Sequence, residues 1–150
     1  MPLQTIYGLG QPAFVVGMIA NQESRNVFTK TASANIAFGA PCQRNGDKLA
    51  SPLVSGGEFI GIAVMKHLIT GQGDTFVQYD NVPIADEGVI PVLADAAITV
   101  GAALRWNTAT GRYTTAAASG TVIDVPGAEA DTAASGAGAT FKLRLRRVPS

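Results

Sequence analysis

Few residues in this 150-residue chain are of types that carry out catalysis. It has a single cysteine, Cys42, and a single histidine, His67, which follows an apolar run. A thiol beside an imidazole is a nucleophilic arrangement, but it needs contact between the two side chains and a third, orienting group. One histidine excludes a His-rich metal site. We therefore expect a buried thiol at Cys42 and a surface position at a strand end for His67.

The carboxylates of the middle of the chain lie in a span, residues 67–104, that contains no lysine or arginine. Their spacing matches no calcium loop. An oligomeric β-barrel hydrolase using Asp74 or Asp80 remains an alternative, although a solvated rim is the usual role of such residues. The chain contains no nucleophile elbow, Walker A motif or dinucleotide fingerprint. The sequence thus predicts no catalytic residue, no cofactor and no metal site.

Composition limits the class of protein further. The formal net charge is zero and the isoelectric point is about 6.5, which argues against a dedicated nucleic-acid binder. Hydrophobic residues make up 47% and charged residues only 15%, a low charge density for the surface of a free monomer. No apolar run approaches the length of a membrane helix, and no signal peptide is visible. We expect a protein made in the cytoplasm, with no membrane partner.

Frequent turns and short apolar segments indicate an all-β domain. Glu58–Lys66 is apolar on both faces, which predicts the central, most buried strand. Asn45-Gly46 predicts a tight hairpin. The clearest strand signal is Ala139–Val148, whose apolar residues alternate with basic ones. About nine short strands are expected, the pattern of a small β-barrel or a jelly-roll-like domain.

The first 33 residues differ from the rest. Phe14–Ala20 is apolar and no segment beside it resembles a partner strand, while glycines and a proline punctuate the stretch before it. A bare apolar segment of this kind needs a docking site on its own domain or on another molecule. We predict an extended N-terminal arm, residues 1–33, followed by the β domain, residues 34–150.

The basic face of the last predicted strand carries Arg144 and Arg146, together with Lys142. Because the middle span is acidic, these charges suit contacts between copies of the chain or with another charged surface. A polar strand face in water explains them equally well. The sequence alone leaves both interpretations open.

Several motifs, taken in order, resemble the structural cement, or capsid decoration, proteins of tailed bacteriophages. Each is short, and their order and spacing carry the resemblance. They are G-M-I-A-N-Q-E-S-R-N-V (17–27), I-A-F-G-A-P-C (36–42), F-I-G-I-A-V (59–64), V-P-I-A-D-E-G-V-I-P-V (82–92), A-I-T-V-G-A-A-L-R-W (97–106), T-G-R-Y (110–113) and P-G-A-E (126–129). The chain departs from the family pattern at Asn21 and at residues 104–106.

The resemblance implies a virion protein on the outer capsid surface, made in the host bacterium. It implies binding across joints between major capsid proteins, as a homodimer or homotrimer, and stabilisation of the shell against the pressure of packaged DNA. No catalysis is implied. An arm in such a protein docks in trans, by strand addition or in a groove. The expected interface residues are Phe14, Val16, Met18, Ile19, Arg25, Val27, Arg144 and Arg146.

A second alternative is a phage tail-spike or carbohydrate-binding β module. Its sugar platforms would be the aromatic residues Tyr79, Trp106 and Tyr113. Binding of glycans that depends on Trp106 would favour this function.

Overall fold

The computed structural model describes residues 16–19, 24–65 and 74–148. Every regular element among them is a β-strand, which confirms the all-β class. None of these residues belongs to a helix long and apolar enough to cross a membrane. The strands are β1 (Asn26–Ala32), β2 (Ile36–Ala37), β3 (Pro41–Arg44), β4 (Leu49–Pro52), β5 (Phe59–Ala63), β6 (Thr75–Phe76), β7 (Asn81–Leu93), β8 (Ala103–Asn107), β9 (Arg112–Thr114), β10 (Val122–Ala130) and β11 (Thr140–Leu145).

Five strands close a small barrel. Their order is β1-β4-β3-β5-β7, and β7 pairs back with β1 to complete the ring. The β1–β4 pair is parallel and the other pairs are antiparallel. One hydrophobic cluster draws residues from all five strands, and most of them are small, as a narrow barrel requires. These residues are Ala32, Cys42, Ala50, Ala63, Val82 and Ile84.

β7 also begins a second sheet, in the order β7-β11-β10-β8-β9. This sheet curls until Tyr113 of β9 forms a bridge with Ala94, directly after β7. The buried residues of this sheet belong to a larger hydrophobic cluster, which also includes Ile62 and Val64 from β5 and the residues just after it. The second sheet therefore packs against the outside of the barrel. β7 is thus shared by both halves of the domain.

β7 differs from the prediction because it is one strand of 13 residues. From the sequence alone, Asp86-Glu87-Gly88 indicates a turn between two short segments, and Pro83 and Pro91 indicate edge positions for them. The carbonyl oxygens of both prolines are nevertheless hydrogen-bonded within the domain. Pro83 accepts from the Val64 N–H at 2.9 Å, and Pro91 accepts from the Gly17 N–H at 2.9 Å. β7, rather than the predicted 58–66 strand, is therefore the central strand.

β1 lies in the stretch that the sequence analysis assigned to the arm. Asn26–Ala32 pairs with β7 along most of its length and with β4 at its end. Most of its residues are exposed or half-buried, and only Ala32 is fully buried. A strand of this polarity has no apolar alternation for a sequence analysis to detect. The barrel therefore begins at Asn26, not near Ala34.

β11 matches its prediction. Phe141, Leu143 and Leu145 are buried, while the residues between them are half-buried or exposed. It pairs with β7 on one side and with β10 on the other. The hairpin predicted at Asn45-Gly46 joins β3 to β4, and Asn45 N–H donates to Leu49 O at 3.1 Å.

Candidate functional site

The apolar segment of the arm, predicted to lack a partner, has partners in its own domain. Gly17 N–H donates to the carbonyl of Pro91 at 2.9 Å, and Gly17 O accepts from the Met65 N–H at 2.8 Å. Gly17 thus lies between the end of β5 and β7. The local sequence does not reveal these partners, because they lie far along the chain.

Gly17 fits this position because it has no side chain. Its φ is +84°, a left-handed conformation that favours glycine. A Cβ atom there would lie 3.0 Å from the Gly39 nitrogen and 3.1 Å from the Phe38 Cβ. Val16 and Met18 are half-buried, and Ile19 packs against the larger hydrophobic cluster. Residues 16–19 therefore dock on the chain's own fold, while Phe14 lies outside the described residues.

Arg25 directly precedes β1, and Val27 lies within it. Arg25 is exposed, and its Cβ is 3.4 Å from where a Cβ on Gly88 would stand. Val27 pairs with Ala85 of β7 and is 42% exposed, a large value for a valine in a barrel strand. These two predicted interface residues are accessible from solvent.

Arg144 and Arg146 of the basic strand face acidic residues of the same chain. A nitrogen of Arg144 lies 2.8 Å from a carboxylate oxygen of Asp131. Arg146 lies at the same distance from Glu129. The charges of these two arginines are therefore paired within the domain. The Arg146 side chain is nevertheless 67% exposed, whereas that of Arg144 is 28% exposed.

The predicted basic residues come together around Gly88. Leu145, between the two arginines, is the β-ladder partner of Gly88, and Arg25 lies beside the same glycine. A cleft of about 260 Å³ here is lined by Ser24, Glu87, Gly88, Arg144, Leu145 and Arg146. Val16–Ile19 instead lie near Pro91, further along β7. The candidate contact residues thus form two groups along one strand.

A larger cleft of about 320 Å³ adjoins Arg146. Both apolar and charged residues line this cleft, namely Phe59, Ile60, Asp86, Pro126, Arg146, Arg147 and Val148. Asp86 accepts hydrogen bonds from Asn26 Nδ2 at 2.9 Å and from an Arg147 nitrogen at 3.2 Å. These bonds hold the start of β1 close to the end of the described chain.

Cys42 lies in surroundings that disfavour a nucleophilic thiolate. The thiol is fully buried in the barrel and donates to Ala40 O at 3.6 Å. Burial raises the pKa of the Cys42 thiol to about 12, although a backbone hydrogen bond with Ala63 opposes the shift. A reactive cysteine needs the opposite shift, toward a thiolate. The buried position predicted for Cys42 is confirmed, and His67 lies outside the described residues.

The two acids proposed for a hydrolase lie in different surroundings. Asp80 Oδ2 accepts a hydrogen bond from Val77 N–H at 3.0 Å and thereby closes a turn. Asp74 lines a cleft of about 280 Å³ whose other walls are mostly apolar. Within the described ranges, no three histidine, cysteine or acidic residues group closely enough to hold a metal ion.

The three aromatic residues suggested as sugar platforms do not share a surface. Tyr113 is buried, with its ring edge-on to Trp106 at a centroid distance of 4.9 Å. Trp106 is half-buried and packs against both hydrophobic clusters. Only Tyr79 is well exposed, at 76%. The prediction that these three rings form a carbohydrate platform is therefore wrong.

The sequence matches a known family of phage proteins over almost its whole length. The model of a family described as "Structural cement protein (E217 gp24/Pam3 gp6)" matches residues 3–146. The chain belongs to this family of phage cement proteins. The resemblance inferred from the short motifs is confirmed, and the chain is a phage structural protein.

The fold of this cement protein is also found in a solved phage structure. A chain described as "The capsid of Myoviridae Phage XM1" aligns with a TM-score of 0.72 and 14% identity, covering 97% of this chain and 98% of that one. At this identity the similarity concerns the fold alone. The head fibre gp8.5 N base of bacteriophage phi29 aligns with a TM-score of 0.48 and 17% identity, covering 85% and 100%. No curated protein sequence matches the chain.

Sequence reasoning missed two features of this cement protein. The first is Gly39, whose carbonyl oxygen accepts a hydrogen bond from the Tyr113 hydroxyl and which lies next to Gly17. The motif I-A-F-G-A-P-C contains this glycine, but both of its partners are distant in sequence. The second is Tyr79, the only non-glycine residue with positive φ among the described residues. The sequence feature that indicates a turn here is the pair Asp80-Asn81, which directly follows Tyr79.

Proposed function

We propose that this cement protein binds the outer surface of a tailed-phage capsid, across joints between major capsid proteins, and stabilises the shell against the pressure of packaged DNA. The observation that carries the proposal is the family match over residues 3–146, nearly the whole chain. The protein acts by binding and not by catalysis. It is made in the cytoplasm of the bacterial host, and it requires neither nucleic acid nor a membrane.

The geometry supports a contact surface centred on the Gly88 region. Arg25 and Arg146 are exposed there, with Val27 nearby on β1. An exposed arginine at the rim of an interface steers association and fixes register more than it adds affinity. Arg144 is half-buried in its pair with Asp131 and holds this surface in shape.

The N-terminal arm contributes through the residues before Val16. Because Gly17 and Ile19 are held by the domain, the proposed contact in trans begins with Phe14 and the residues that precede it. Val16, Met18 and Ile19 then act as the anchor that fixes where the arm leaves the domain. A homodimer or homotrimer, repeated over a symmetric shell, gives high avidity from weak single contacts.

The proposal is tested by sedimenting full-length protein with capsids that lack it. We expect saturable binding, and filled capsids should retain their DNA to a higher temperature when the protein is bound. Phe14→Asp should weaken binding more than it lowers the melting temperature, because the proposal assigns its apolar contact to the capsid. Ile19→Asp should lower the melting temperature itself, because it places a charge against the core.

Arg146 allows a matched control for the second contact surface. Arg146→Glu and Glu129→Arg each break one ion pair, and the double variant restores it with reversed polarity. If Arg146 contacts the capsid, the double variant should regain stability but not binding. Wild-type binding by the double variant would restrict Arg146 to its intrachain pair. Absence of any wild-type binding to capsids would refute the proposed function.

A further inference from the structure

The turn between β6 and β7 holds a bulky residue in a conformation that glycine prefers. Asp80 N–H donates to Val77 O at 3.1 Å, which closes a four-residue turn. Its third residue, Tyr79, has a φ of +74° and is the only non-glycine residue with positive φ in the described ranges. This is the position that type II turns give to glycine or asparagine. A bulky side chain there is a true outlier.

The strain is maintained by the backbone around the turn. Tyr79 N–H donates to Ala32 O at 2.8 Å, and Gln78 N–H donates to Asn35 Oδ1 at 3.2 Å. The Asp80 carboxylate accepts from Val77 N–H. These bonds fix the turn whichever side chain occupies residue 79. The tyrosine ring takes no part in them.

The ring is instead presented to solvent. Tyr79 is 76% exposed, the largest value among the exposed large hydrophobic residues described. A glycine would relieve the strain and an asparagine would tolerate it, so folding does not account for a tyrosine. A strained residue that the surrounding structure over-determines is characteristic of a functional site.

The surroundings of Tyr79 have the composition of an interface. Thr31, at the end of β1, pairs with Leu49 on one side and with Asn81 on the other. Leu49 is 37% exposed, and Asn35, Gln78 and Asn81 are exposed polar residues near the turn. An exposed aromatic residue among amide side chains has a composition typical of a protein–protein contact.

We propose that Tyr79 is an anchor that inserts into a pocket on a major capsid protein subunit, a proposal that rests on the function proposed above. A second copy of this chain is a poorer occupant. A tyrosine buries about 150–250 Å², so two such patches fall well below the roughly 1,200 Å² of a stable interface. The same small contact is effective on a shell, where each cement protein is held at several points. Tyrosine is among the residues most enriched at binding hot spots.

The test separates binding from folding through Tyr79→Gly and Tyr79→Asn in the full-length chain. Both should melt at or above the wild-type temperature, because the strain is relieved or tolerated. Both should bind capsids roughly tenfold more weakly, as expected for a hot-spot residue. Val100→Asn, at another exposed apolar residue in an unstrained position, should leave binding unchanged.

Each other outcome contradicts the proposal in a distinct way. Wild-type binding by Tyr79→Gly, while the wild-type protein binds capsids normally, would overturn the anchor and leave the proposed function intact. A large loss of melting temperature would show that the ring serves folding. A change of oligomeric state in solution would assign Tyr79 to contact with a second copy. Binding to a glycan array that is lost in Tyr79→Gly would assign it to carbohydrate.

Discussion

Tyr113 donates its phenolic hydrogen bond to the carbonyl oxygen of Gly39 at 2.8 Å, in a buried site that joins the two halves of the domain. Tyr113 belongs to β9, the last strand of the second sheet, and Gly39 lies between β2 and β3 of the barrel half. Gly39 N–H in turn donates to Ala63 O at 2.8 Å. One phenol therefore ties the far edge of the sheet to the wall of the barrel.

Tyr113→Phe should cost about 1–3 kcal/mol of unfolding free energy, because it leaves the buried Gly39 carbonyl without its partner. Urea denaturation at pH 7 measures this loss. Tyr79→Phe is the matched control: it removes an exposed hydroxyl and should change stability by less than about 0.5 kcal/mol. Equal stability of Tyr113→Phe and the wild type would show that the hydrogen bond does not join the two halves.

Gly17→Ala should loosen the docking of residues 16–19. The substitution adds a left-handed strain of about 1–2 kcal/mol and places a Cβ against Gly39 and Phe38. Gly46→Ala controls for the strain, because its φ is +80° and nothing lies within 4 Å of its Cβ position. We expect Gly17→Ala to lose clearly more stability than Gly46→Ala in the same denaturation assay. Equal losses of stability would mean that residues 16–19 accommodate the added Cβ atom without further destabilisation.

Arg144 of β11 and Arg146, just after this strand, should differ in their contribution to stability. Arg144 and Asp131 are both about three-quarters covered, whereas Arg146 is mostly exposed. Arg144→Met should cost about 1 kcal/mol, and Arg146→Met should cost less, because solvent screens an exposed pair. Thermal denaturation at low and high salt measures both effects. A larger loss for Arg146→Met would contradict this ranking.

Alkaline pH should destabilise the protein through the buried Cys42 thiol. The unfolded thiol ionises near pH 9 and the folded one near pH 12, so the folded state retains the proton longer. Its stabilising contribution is complete below pH 9 and is lost as the pH rises toward 12, by up to about 4 kcal/mol. Burial also raises the pKa of the Tyr113 phenol well above its usual range, with nearby Cys42 adding to the shift, so it acts in the same direction.

Cys42→Ala isolates the thiol's part of this effect. The variant should lose some stability at pH 7 but show a shallower decline between pH 9 and pH 12 than the wild type, followed by circular dichroism in urea. Cys42→Ser offers a second comparison with a hydroxyl in place of the thiol. Identical slopes in all three proteins would assign the alkaline loss to other groups.

The strands that could be predicted are those whose signal is local. β11 shows an alternation of apolar and basic residues that needs no knowledge of its partners. The hairpin at Asn45-Gly46 follows from turn chemistry alone. β1 and β7 were misjudged because their character depends on neighbours: β1 is polar but paired on both sides, and β7 contains prolines whose missing amide hydrogens cost little there.

The sites divide in the same way. The sequence singled out Arg25, Arg144 and Arg146, and the fold brings all three to the neighbourhood of Gly88. It did not reveal that Asp131 and Glu129 would face the arginines, because ion pairs across strands depend on register. It named Tyr79 only as a member of an aromatic set that the structure separates.

The sequence by itself determined the class of this protein: an all-β domain of zero formal net charge without catalytic motifs, related to phage cement proteins by the order of its short motifs. Composition and local pattern suffice for that assignment, because the preference for a strand or a turn depends on residues only a few positions apart. Only the tertiary structure decided how the chain closes. The docking of Gly17 between Met65 and Pro91, and the strained turn at Tyr79, arise from contacts between distant segments, and a local pattern contains no record of them.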